Sequence, residues 1–364
     1  MTASSPGPAY HSGLYLYGDG HRLWPISPNH LTLEMAYNFA ADMVGLGLVN
    51  GAGKLMGLAP YGDPVFFDTR FVGNETDILE RFGSDLWTTW SAHCRQEGER
   101  LGYDMSSFGN AARITEPINA NIAAATQLLF EETYLAAVRS LGKMLAGGGV
   151  TTKNLCLSGG TALNCPSNSR VWREGPFENV FIEPTCDDGG LAIGASLHLY
   201  HNLLDHPIAA SDTPATAYLG GAYGDEVQAA ALAVDGIASE IPDDPAEAAA
   251  NDLLADKIIG WFEGKSEAGP RAPGHRSILA DVRSVENWLR VNRVKGREPW
   301  RPFAPLVLAE KAEDWFTGCP MPSPYMLFTA EVRGDKLPAI THVDGSSRIQ
   351  TVDESCGGVR RTDC

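Results

Sequence analysis

The chain has 364 residues and a net charge of -17, from 28 Lys and Arg against 45 Asp and Glu. This length is enough for one large or two medium domains, each with its own core, and it excludes a peptide or a lone small module. The acidic balance opposes binding of nucleic acid across a broad face. Any phosphate ligand would therefore have to bind in a local pocket.

The spacing of the cysteines and the lengths of the apolar segments indicate the cellular environment of the protein. The seven cysteines include no C-x-x-C pair, which disfavours a zinc ribbon or a disulfide framework and predicts a reducing, cytoplasmic environment. The sequence has no window of about 18 uncharged apolar residues, the length of a membrane-spanning helix. We expect a soluble protein that acts away from membranes.

The first predicted elements are a hairpin and a helix. The strand-like run LYLYG at 14–18 is followed by an Asp-Gly turn and a second such run, RLWPI at 22–26. Apolar spacings of three and four predict a helix from Leu31 to about Leu48, ended by glycines. The next residues, KLMGLAPYGDP at 54–64, are expected to form a surface loop.

A long helix and two strands follow in the middle of the chain. Residues 64–110 show no period that assigns them, whereas Ala and Leu at helical spacing predict the longest helix over 116–145. NLCLSGG at 154–160 and NVFIEP at 179–184 each predict a strand, a glycine turn and a following helix. This pattern is typical of α/β domains, in which ligands bind at the carboxyl ends of the strands.

The chain composition changes after the second of these units. Residues 206–216 are rich in Pro, Ser and Thr and predict a linker between a first domain at 1–205 and a second at 217–364. Within the second domain we expect an Ala-rich acidic helix at 243–254 and a buried strand, IIGWFE, at 258–263.

Three short motifs admit both a functional and a structural interpretation. Gly159 and Gly160 in SGGTALN let the backbone approach a nucleotide, although such turns are common without a ligand. Asp187 and Asp188 could bind a hard cation or cap the next helix. GAGK at 51–54 fails the full phosphate-loop pattern, which leaves Lys54 as a pocket cation or a solvated lysine.

The basic residues are concentrated in one stretch. Nine of the 28 Lys and Arg lie between Lys265 and Arg301, interleaved with prolines and aromatics rather than with Glu at helical spacing. Guanidinium forks in constrained turns suit phosphate and carboxylate recognition. A solvated basic face is the alternative, and we favour an anion site.

These segments in order closely resemble the O-carbamoyltransferase family of nodulation and antibiotic biosynthesis, whose members modify Nod factors, cephalosporins, tobramycin and ansamycins. The segments that carry the resemblance are GKLMGLAPYG, LSGGTALNCPSNSR, PTCDDGGLAIGAS, WFEGKSEAGPRAPGHRSILADVR, REPWRPFAP, SPYMLF and ITHVDGSSRIQTV. The resemblance implies an α/β protein with a partial actin-like (Kae1-like) domain followed by a partial YrdC-like α+β domain. Relative to the family pattern, the chain is expected to be a central fragment, incomplete at both ends.

The resemblance also implies a reaction and its partners. Carbamoyl phosphate and ATP would form carbamoyl adenylate, and the carbamoyl group would pass to a hydroxyl of a small-molecule acceptor. Iron or another divalent metal ion would be the cofactor, with Asp188 as a ligand, while Asp188, Arg271 and Lys295 would be catalytic. The other residues that the resemblance implies to bind substrate or nucleotide are Gly159, Gly160, Asn164, Arg301, Ser323, Met326 and Arg348. The basic stretch and the GAGK motif themselves add Lys54, His275, Arg276 and Arg297 as binding candidates.

Two other functions remain open from the sequence. The chain could be a catalytically incompetent member of the same family that still binds nucleotide. It could also be a Kae1-like metal-dependent enzyme that modifies tRNA, although the net charge of -17 opposes a tRNA-binding surface. We expect no nucleic acid among its partners.

Overall fold

The computed structural model describes residues 2–3, 13–29, 33–72, 85–209, 216–236, 238–271 and 274–353. The strands are β1 Thr2–Ala3, β2 Gly13–Asp19, β3 Arg22–Asn29, β4 Asn154–Gly159, β5 Asn179–Ile182, β6 Ile259–Phe262, β7 Arg276–Leu279, β8 Leu306–Leu308, β9 Phe316–Thr317, β10 Ala330–Val332, β11 Ser346–Ser347 and β12 Gln350–Val352. The α-helices are α1 Leu33–Met43, α2 Ala52–Leu58, α3 Asp85–Arg100, α4 Pro117–Gly147, α5 Cys165–Glu174, α6 Leu191–Leu197, α7 Asp225–Leu232, α8 Pro245–Leu254, α9 Val285–Val294 and α10 Ala312–Trp315.

A small parallel sheet carries the two predicted strand-turn-helix units. Its order is β1-β4-β5, and Leu157 of β4 pairs with Ile182 of β5. A 3-10 turn at Gly160–Leu163 leads from β4 into α5, and another at Asp188–Gly190 leads from β5 into α6. Both predicted units are confirmed, and the turns that follow their strands lie at the carboxyl end of the sheet.

Helix α4 forms the centre of the core of this half. It has 31 residues, begins with Pro117 at its first turn, and buries side chains along its length, among them Ile122 and Leu135. Helices α1, α2 and α5 all pack against it. The prediction of a long helix here is confirmed, as is the β2–β3 hairpin, whose strands pair antiparallel around Gly20.

The predicted helix 31–48 is shorter in the structure, because α1 ends at Met43. Gly45 has φ +88°, and a Cβ there would lie 2.8 Å from the Gly109 carbonyl oxygen. Only glycine fits this left-handed position, which turns the chain out of the helix. The prediction of a continuous helix to Leu48 was therefore wrong at its end.

The predicted surface loop at 54–64 was wrong, because α2 and a 3-10 turn at Ala59–Tyr61 occupy most of it. Leu55 and Leu58 are fully buried one turn apart, so their burial stabilises the helix. Gly57 lies inside this helix and faces Pro302, whose Cδ would be in ordinary van der Waals contact, at 3.5 Å, with a Cβ at that position.

The second half is built from small sheets and helices. Strands β6 and β7 pair antiparallel, β8 and β12 pair parallel, and β9, β10 and β11 form an antiparallel sheet. The acidic helix is confirmed as α8. The strand at 258–263 is confirmed as β6 but its predicted burial was wrong: Phe262 is 61% exposed, because β6 belongs to a sheet of only two strands.

Helix α3 lies in the stretch that the sequence left unassigned. Most of the predicted linker, residues 210–215, lies outside the described residues, as does the segment 354–364. Across the part of the chain that the structure describes, no helix is both long enough and apolar enough to cross a membrane.

Candidate anion-binding site

Five predicted site residues come together in the fold. Although Lys295 is exposed at the surface, partial desolvation of its charge, followed by the charges of Arg297 and Arg301, lowers its pKa. Burial and the charges of Arg301 and Arg348 lower the pKa of Arg297 to about 10. Burial, with Arg271 and Arg301 nearby, lowers the pKa of Arg348 as well. Because like charges shift each other's pKa only at short range, these five side chains form one group, which we name the cationic cluster.

The cationic cluster lies against the glycine turn that follows β4. Gly159 has φ +93°, which favours glycine, and it ends the strand just before the 3-10 turn that begins at Gly160. Arg271 Nη2 donates a hydrogen bond to the Leu163 carbonyl oxygen at 3.2 Å. The structure therefore places the predicted nucleotide-contacting turn and the predicted phosphate-binding residues side by side.

Asn164, at the end of this turn, is held by a buried polar network. Its Oδ1 accepts hydrogen bonds from the Ser167 amide at 3.2 Å, which caps α5, and from Gln127 Nε2 at 3.0 Å. Its Nδ2 donates to Gln127 Oε1 at 3.1 Å, and Tyr37 also donates to that oxygen at 2.6 Å. A ligand at this turn would therefore meet main-chain groups first. The sequence signal for Gln127 was a polar residue in an Ala- and Leu-rich helix.

Lys54 forms an ion pair, so it is neither a fully solvated lysine nor an unpaired cation of the pocket. Its Nζ lies 2.6 Å from Glu298 Oε1, and Arg301 Nη1 lies 3.5 Å from the other oxygen of the same carboxylate. Burial alone would raise the pKa of Glu298, but the hydrogen bond from Lys54 and the charges of Lys54 and Arg301 outweigh it and lower that pKa. Glu298 was not anticipated from the sequence, and it stays ionised beside the cationic cluster.

Replacing Glu298 by Gln should change the acid dependence of stability. The folded-state pKa of Glu298 is lowered, so its contribution is present above the unfolded value of about 4.3 and is lost as pH falls towards the folded value. We expect the free energy of unfolding of Glu298→Gln to fall less steeply between about pH 5 and pH 3, measured by urea titration. Glu240→Gln, at an exposed loop position, should keep the native slope. Identical slopes for Glu298→Gln and the native chain would contradict this assignment.

Arg297 is fixed in place by neutral partners. Its Nε donates to Asn292 Oδ1 at 2.7 Å and its Nη2 to the Pro302 carbonyl oxygen at 2.7 Å. Its guanidinium carbon lies 4.2 Å from the centre of the Phe303 ring. None of these partners is a carboxylate, so Arg297 is held in place by neutral groups, and the nearby charge of Glu298 opposes only part of the fall in its pKa.

His275 and Arg276 lie outside the cationic cluster. Arg276 Nη2 donates to the Gly264 carbonyl oxygen at 3.0 Å, and its guanidinium carbon sits 3.6 Å from the centre of the Phe262 ring. His275 Nδ1 makes a 2.7 Å hydrogen bond with the Lys265 carbonyl oxygen. Both side chains therefore hold the β6–β7 hairpin together, and their role in ligand binding stays a prediction.

Ser323 and Met326 belong to a segment beside β12 and α5. Ser323 is 3% exposed, its amide donates to Thr351 Oγ1 at 2.9 Å, and its Oγ has no hydrogen-bond partner among the described residues. Met326 has φ +54°, and its carbonyl oxygen accepts a hydrogen bond from Cys165 Sγ at 3.0 Å. The segment thus connects the second half of the chain to the turn that follows β4.

The two aspartates after β5 have different surroundings. Asp187 Oδ1 accepts from the Gly189 amide at 3.1 Å, which confirms the capping interpretation for that residue. Asp188 is exposed, and the described part of the chain contains no group of three or more His, Cys, Asp or Glu that could hold a metal. Within the described residues, Asp188 therefore lacks the additional donors that a metal site needs. We derive no step through a metal, and the role of Asp188 stays a prediction.

An apolar cavity of about 310 Å³ adjoins the cationic cluster. Its wall includes Trp261, Trp288 and Phe303. The Arg297 guanidinium packs on the Phe303 ring, and Trp288 Nε1 donates a hydrogen bond to the Arg301 carbonyl oxygen at 2.8 Å. The cavity and the cluster are therefore neighbours that share a wall. The sequence analysis missed it, although Trp288 sits in a strongly amphipathic stretch of α9.

Fold and site together define a mixed α/β protein with small sheets and a concentrated cationic pocket. Two family models match the sequence: the carbamoyltransferase N-terminus over residues 7–197 and the carbamoyltransferase C-terminus over residues 250–357. The chain belongs to the carbamoyltransferase family, as the resemblance had indicated.

Individual relatives agree with this membership. An uncharacterized protein of Synechocystis sp. is 35% identical over 92% of this chain and 59% of its own length. Nodulation protein NolO of Bradyrhizobium diazoefficiens is 34% identical over 95% of this chain and 62% of its own length. The 3'-hydroxymethylcephem-O-carbamoyltransferase of Streptomyces clavuligerus is 31% identical over 85% of this chain and 54% of its own length. The chain spans little more than half the length of these relatives.

Proposed function

We propose that the protein is an ATP-dependent O-carbamoyltransferase. In this proposal it forms carbamoyl adenylate from carbamoyl phosphate and ATP and transfers the carbamoyl group to a hydroxyl of a small-molecule natural product. The observation that carries the proposal is the cationic cluster beside the glycine turn, in a chain whose net charge is -17.

The electrostatics of the cluster favour a polyanionic ligand. Desolvation and mutual repulsion lower the pKa values of Lys295, Arg297 and Arg348. Keeping these side chains charged therefore destabilises the free protein. A phosphate group offsets that repulsion, and each guanidinium can make two charge-assisted hydrogen bonds to it. Both proposed donor substrates, carbamoyl phosphate and ATP, carry such groups.

The apolar cavity supports a nucleotide in particular. Its aromatic wall offers Trp261, Trp288 and Phe303 for contact with a planar base, and base stacking on aromatic side chains contributes about 1 to 3 kcal/mol. With the base in the cavity, the phosphates of ATP would reach Arg297 and Arg301. Carbamoyl phosphate would use the part of the cluster nearer to Arg271 and the glycine turn.

The proposed reaction balances as follows. Carbamoyl phosphate, ATP and one water give carbamoyl adenylate, phosphate and pyrophosphate, as the carbamoyl-phosphate bond and the α–β phosphoanhydride bond break and a carbamate oxygen bonds to the α-phosphorus. The acceptor hydroxyl oxygen then bonds to the carbamoyl carbon, AMP leaves, and the hydroxyl proton is released. Electrostatic stabilisation by Arg271, Lys295 and their neighbours would act on the charge that builds up on the phosphates.

The domain assignment belongs to the same proposal. A Kae1-like, actin-like unit would comprise residues 1–205 and a YrdC-like unit residues 217–364, with the donor chemistry in the second. Asp188, in the first unit, would be a ligand of iron or another divalent metal ion near the transfer step. Natural-product hydroxyls are proposed as acceptors because one relative is named for a hydroxymethylcephem.

The proposal predicts release of pyrophosphate. Incubating the chain with carbamoyl phosphate and ATP labelled in its γ-phosphate should give labelled pyrophosphate, measured by separation of the labelled products. An equal amount of unlabelled phosphate should be released from carbamoyl phosphate, measured by a phosphate assay. Omitting carbamoyl phosphate should abolish the release, since no carbamate oxygen is then supplied. Arg293→Lys, an exposed change in the same basic stretch, should leave the rate unchanged.

Two results would separate the alternatives. ATP binding in a calorimeter without pyrophosphate release, with divalent metal and a hydroxyl acceptor present, would select a nucleotide-binding protein without turnover. Retention of tRNA at physiological ionic strength, weakened by salt, would favour the tRNA-modifying alternative.

A further inference from the structure

Helix α5 presents a polar face to the interior of the protein. Cys165, Asn168 and Ser169 follow the spacing i, i+3 and i+4, so they lie on one side of the helix. All three are 0% exposed. Buried polar groups need hydrogen-bond partners, and the Cys165 thiol, the Asn168 amide nitrogen and the Ser169 hydroxyl find theirs on a segment far away in sequence.

That segment is 326–329, next to the predicted ligand contact Met326. Cys165 Sγ donates to the Met326 carbonyl oxygen at 3.0 Å, and Asn168 Nδ2 donates to the Leu327 carbonyl oxygen at 2.8 Å. Ser169 Oγ donates to the carbonyl oxygen of Thr329 at 3.0 Å. Three side chains of one helix face thus fix the register of an irregular segment.

The hydrogen bonds from α5 matter most at Met326. Its φ of +54° is left-handed, which is uncommon for a residue with a side chain and needs support from the surroundings. The thiol of Cys165 supplies that support at the Met326 carbonyl oxygen.

Cys165 also reaches the cationic cluster. Arg271 Nη2 lies 3.7 Å from Cys165 Sγ and 3.2 Å from the carbonyl oxygen of Leu163. Arg271 Nε is buried and has no hydrogen-bond partner among the residues that the structure describes. The orientation of this guanidinium therefore depends on the turn and on the sulfur atom beside it.

From these contacts we infer that Cys165 is a positioning residue of the anion site. Its sulfur holds Arg271 on one side and the Met326 peptide on the other, so the two ligand-facing segments keep a fixed separation. The inference rests on the proposed function only for the identity of the anions, because the contacts themselves concern how the cationic cluster is presented.

The test compares two replacements of Cys165 with pyrophosphate as the probe. Cys165→Ala removes the donor and the sulfur and should weaken pyrophosphate binding roughly three- to tenfold, as expected for loss of one hydrogen bond. Cys165→Ser keeps a donor at this position and should bind within about twofold of the native chain. Affinity is measured by calorimetry and the thermal midpoint by fluorescence.

The control is Cys94→Ala, since Cys94 is also a free, fully buried cysteine but lies in the apolar core. It should lower the thermal midpoint and leave pyrophosphate affinity unchanged. Ser169→Ala, on the same helix face, should weaken binding in the same direction and serves if Cys165→Ala does not fold.

The outcomes distinguish the inference from the proposed function. Equal pyrophosphate affinity in Cys165→Ala and the native chain would overturn the positioning role, even if the native chain releases pyrophosphate from ATP. Loss of affinity with rescue by serine would support it, even if no turnover is found. A native chain that binds no pyrophosphate would overturn both.

Discussion

Replacing Arg301 or Arg271 by Lys should weaken binding of carbamoyl phosphate and ATP roughly ten- to a hundredfold, while the thermal midpoint of the free protein stays nearly unchanged. A lysine keeps the positive charge but has no planar fork, so it cannot make two parallel hydrogen bonds to one phosphate. The loss of one such contact costs about 1.5 to 3 kcal/mol, which is the stated range in affinity.

The structure supplies a physical reason for each of these two arginines. Arg271 uses Nη2 to bind the Leu163 carbonyl oxygen, while its buried Nε has no hydrogen-bond partner among the described residues. Arg301 is only loosely paired with Glu298, at 3.5 Å, so a phosphate can replace that contact. A lysine at either position would have a single charged nitrogen, which would contact either the protein or the ligand.

Calorimetry with each ligand checks this expectation. Arg293→Lys is the matched control, because Arg293 is exposed on α9 and lies outside the cationic cluster. It should bind both ligands like the native chain. Unchanged affinity in Arg271→Lys and Arg301→Lys would return these residues to a solvated basic face.

The sequence predicted those elements whose local signals agree with the final packing. Strand β4 is an apolar run that stops at a glycine with positive φ, and α4 is an uninterrupted Ala- and Leu-rich stretch between Pro117 and Gly148. The prediction of a surface loop failed at α2. There the burial of Leu55 and Leu58 in the core decides the structure, and it depends on residues far away in sequence.

The candidate site, like the fold, was only partly predictable from the sequence. Arg271, Lys295, Arg297 and Arg301 are close in sequence, so their density alone indicated an anion site. Which of the basic residues face the site was not readable: Arg276 packs on Phe262 instead.

The pairing of Lys54 with Glu298 and the contact of Cys165 with Met326 join residues far apart in sequence. Such contacts are set by the tertiary fold, and no periodicity or motif in a single sequence encodes them.

Arg348 leads to the second prediction, in which stability and binding change in opposite directions. It is partly buried, and among the described residues it makes no hydrogen bond or ion pair. Burial lowers its pKa most, the charges of Arg271 and Arg301 lower it further, and the opposing effects of Cys165 and then Asp344 offset only part of this. An enclosed cation without a bonded partner destabilises a free protein.

Arg348→Met should therefore raise the thermal midpoint of the free protein while reducing affinity for ATP and carbamoyl phosphate about a hundredfold or more. Methionine has a similar length and no charge, so it fills the space and relieves the repulsion. Each kcal/mol recovered should raise the midpoint by about 2 to 4 °C in a protein of this size. Differential scanning calorimetry without ligand and titration calorimetry with each ligand measure the two effects.

Arg333→Met separates the local effect from a general effect of charge. Arg333 is exposed, so its loss removes the same charge from the surface and should change neither the midpoint nor the affinities appreciably. A lower thermal midpoint in Arg348→Met would show that Arg348 stabilises the fold and would contradict its assignment to a preformed anion site. A higher midpoint together with weaker binding is the combination that only a preformed anion site explains, because the charge that repels its neighbours in the free protein is then the charge that a phosphate group neutralises.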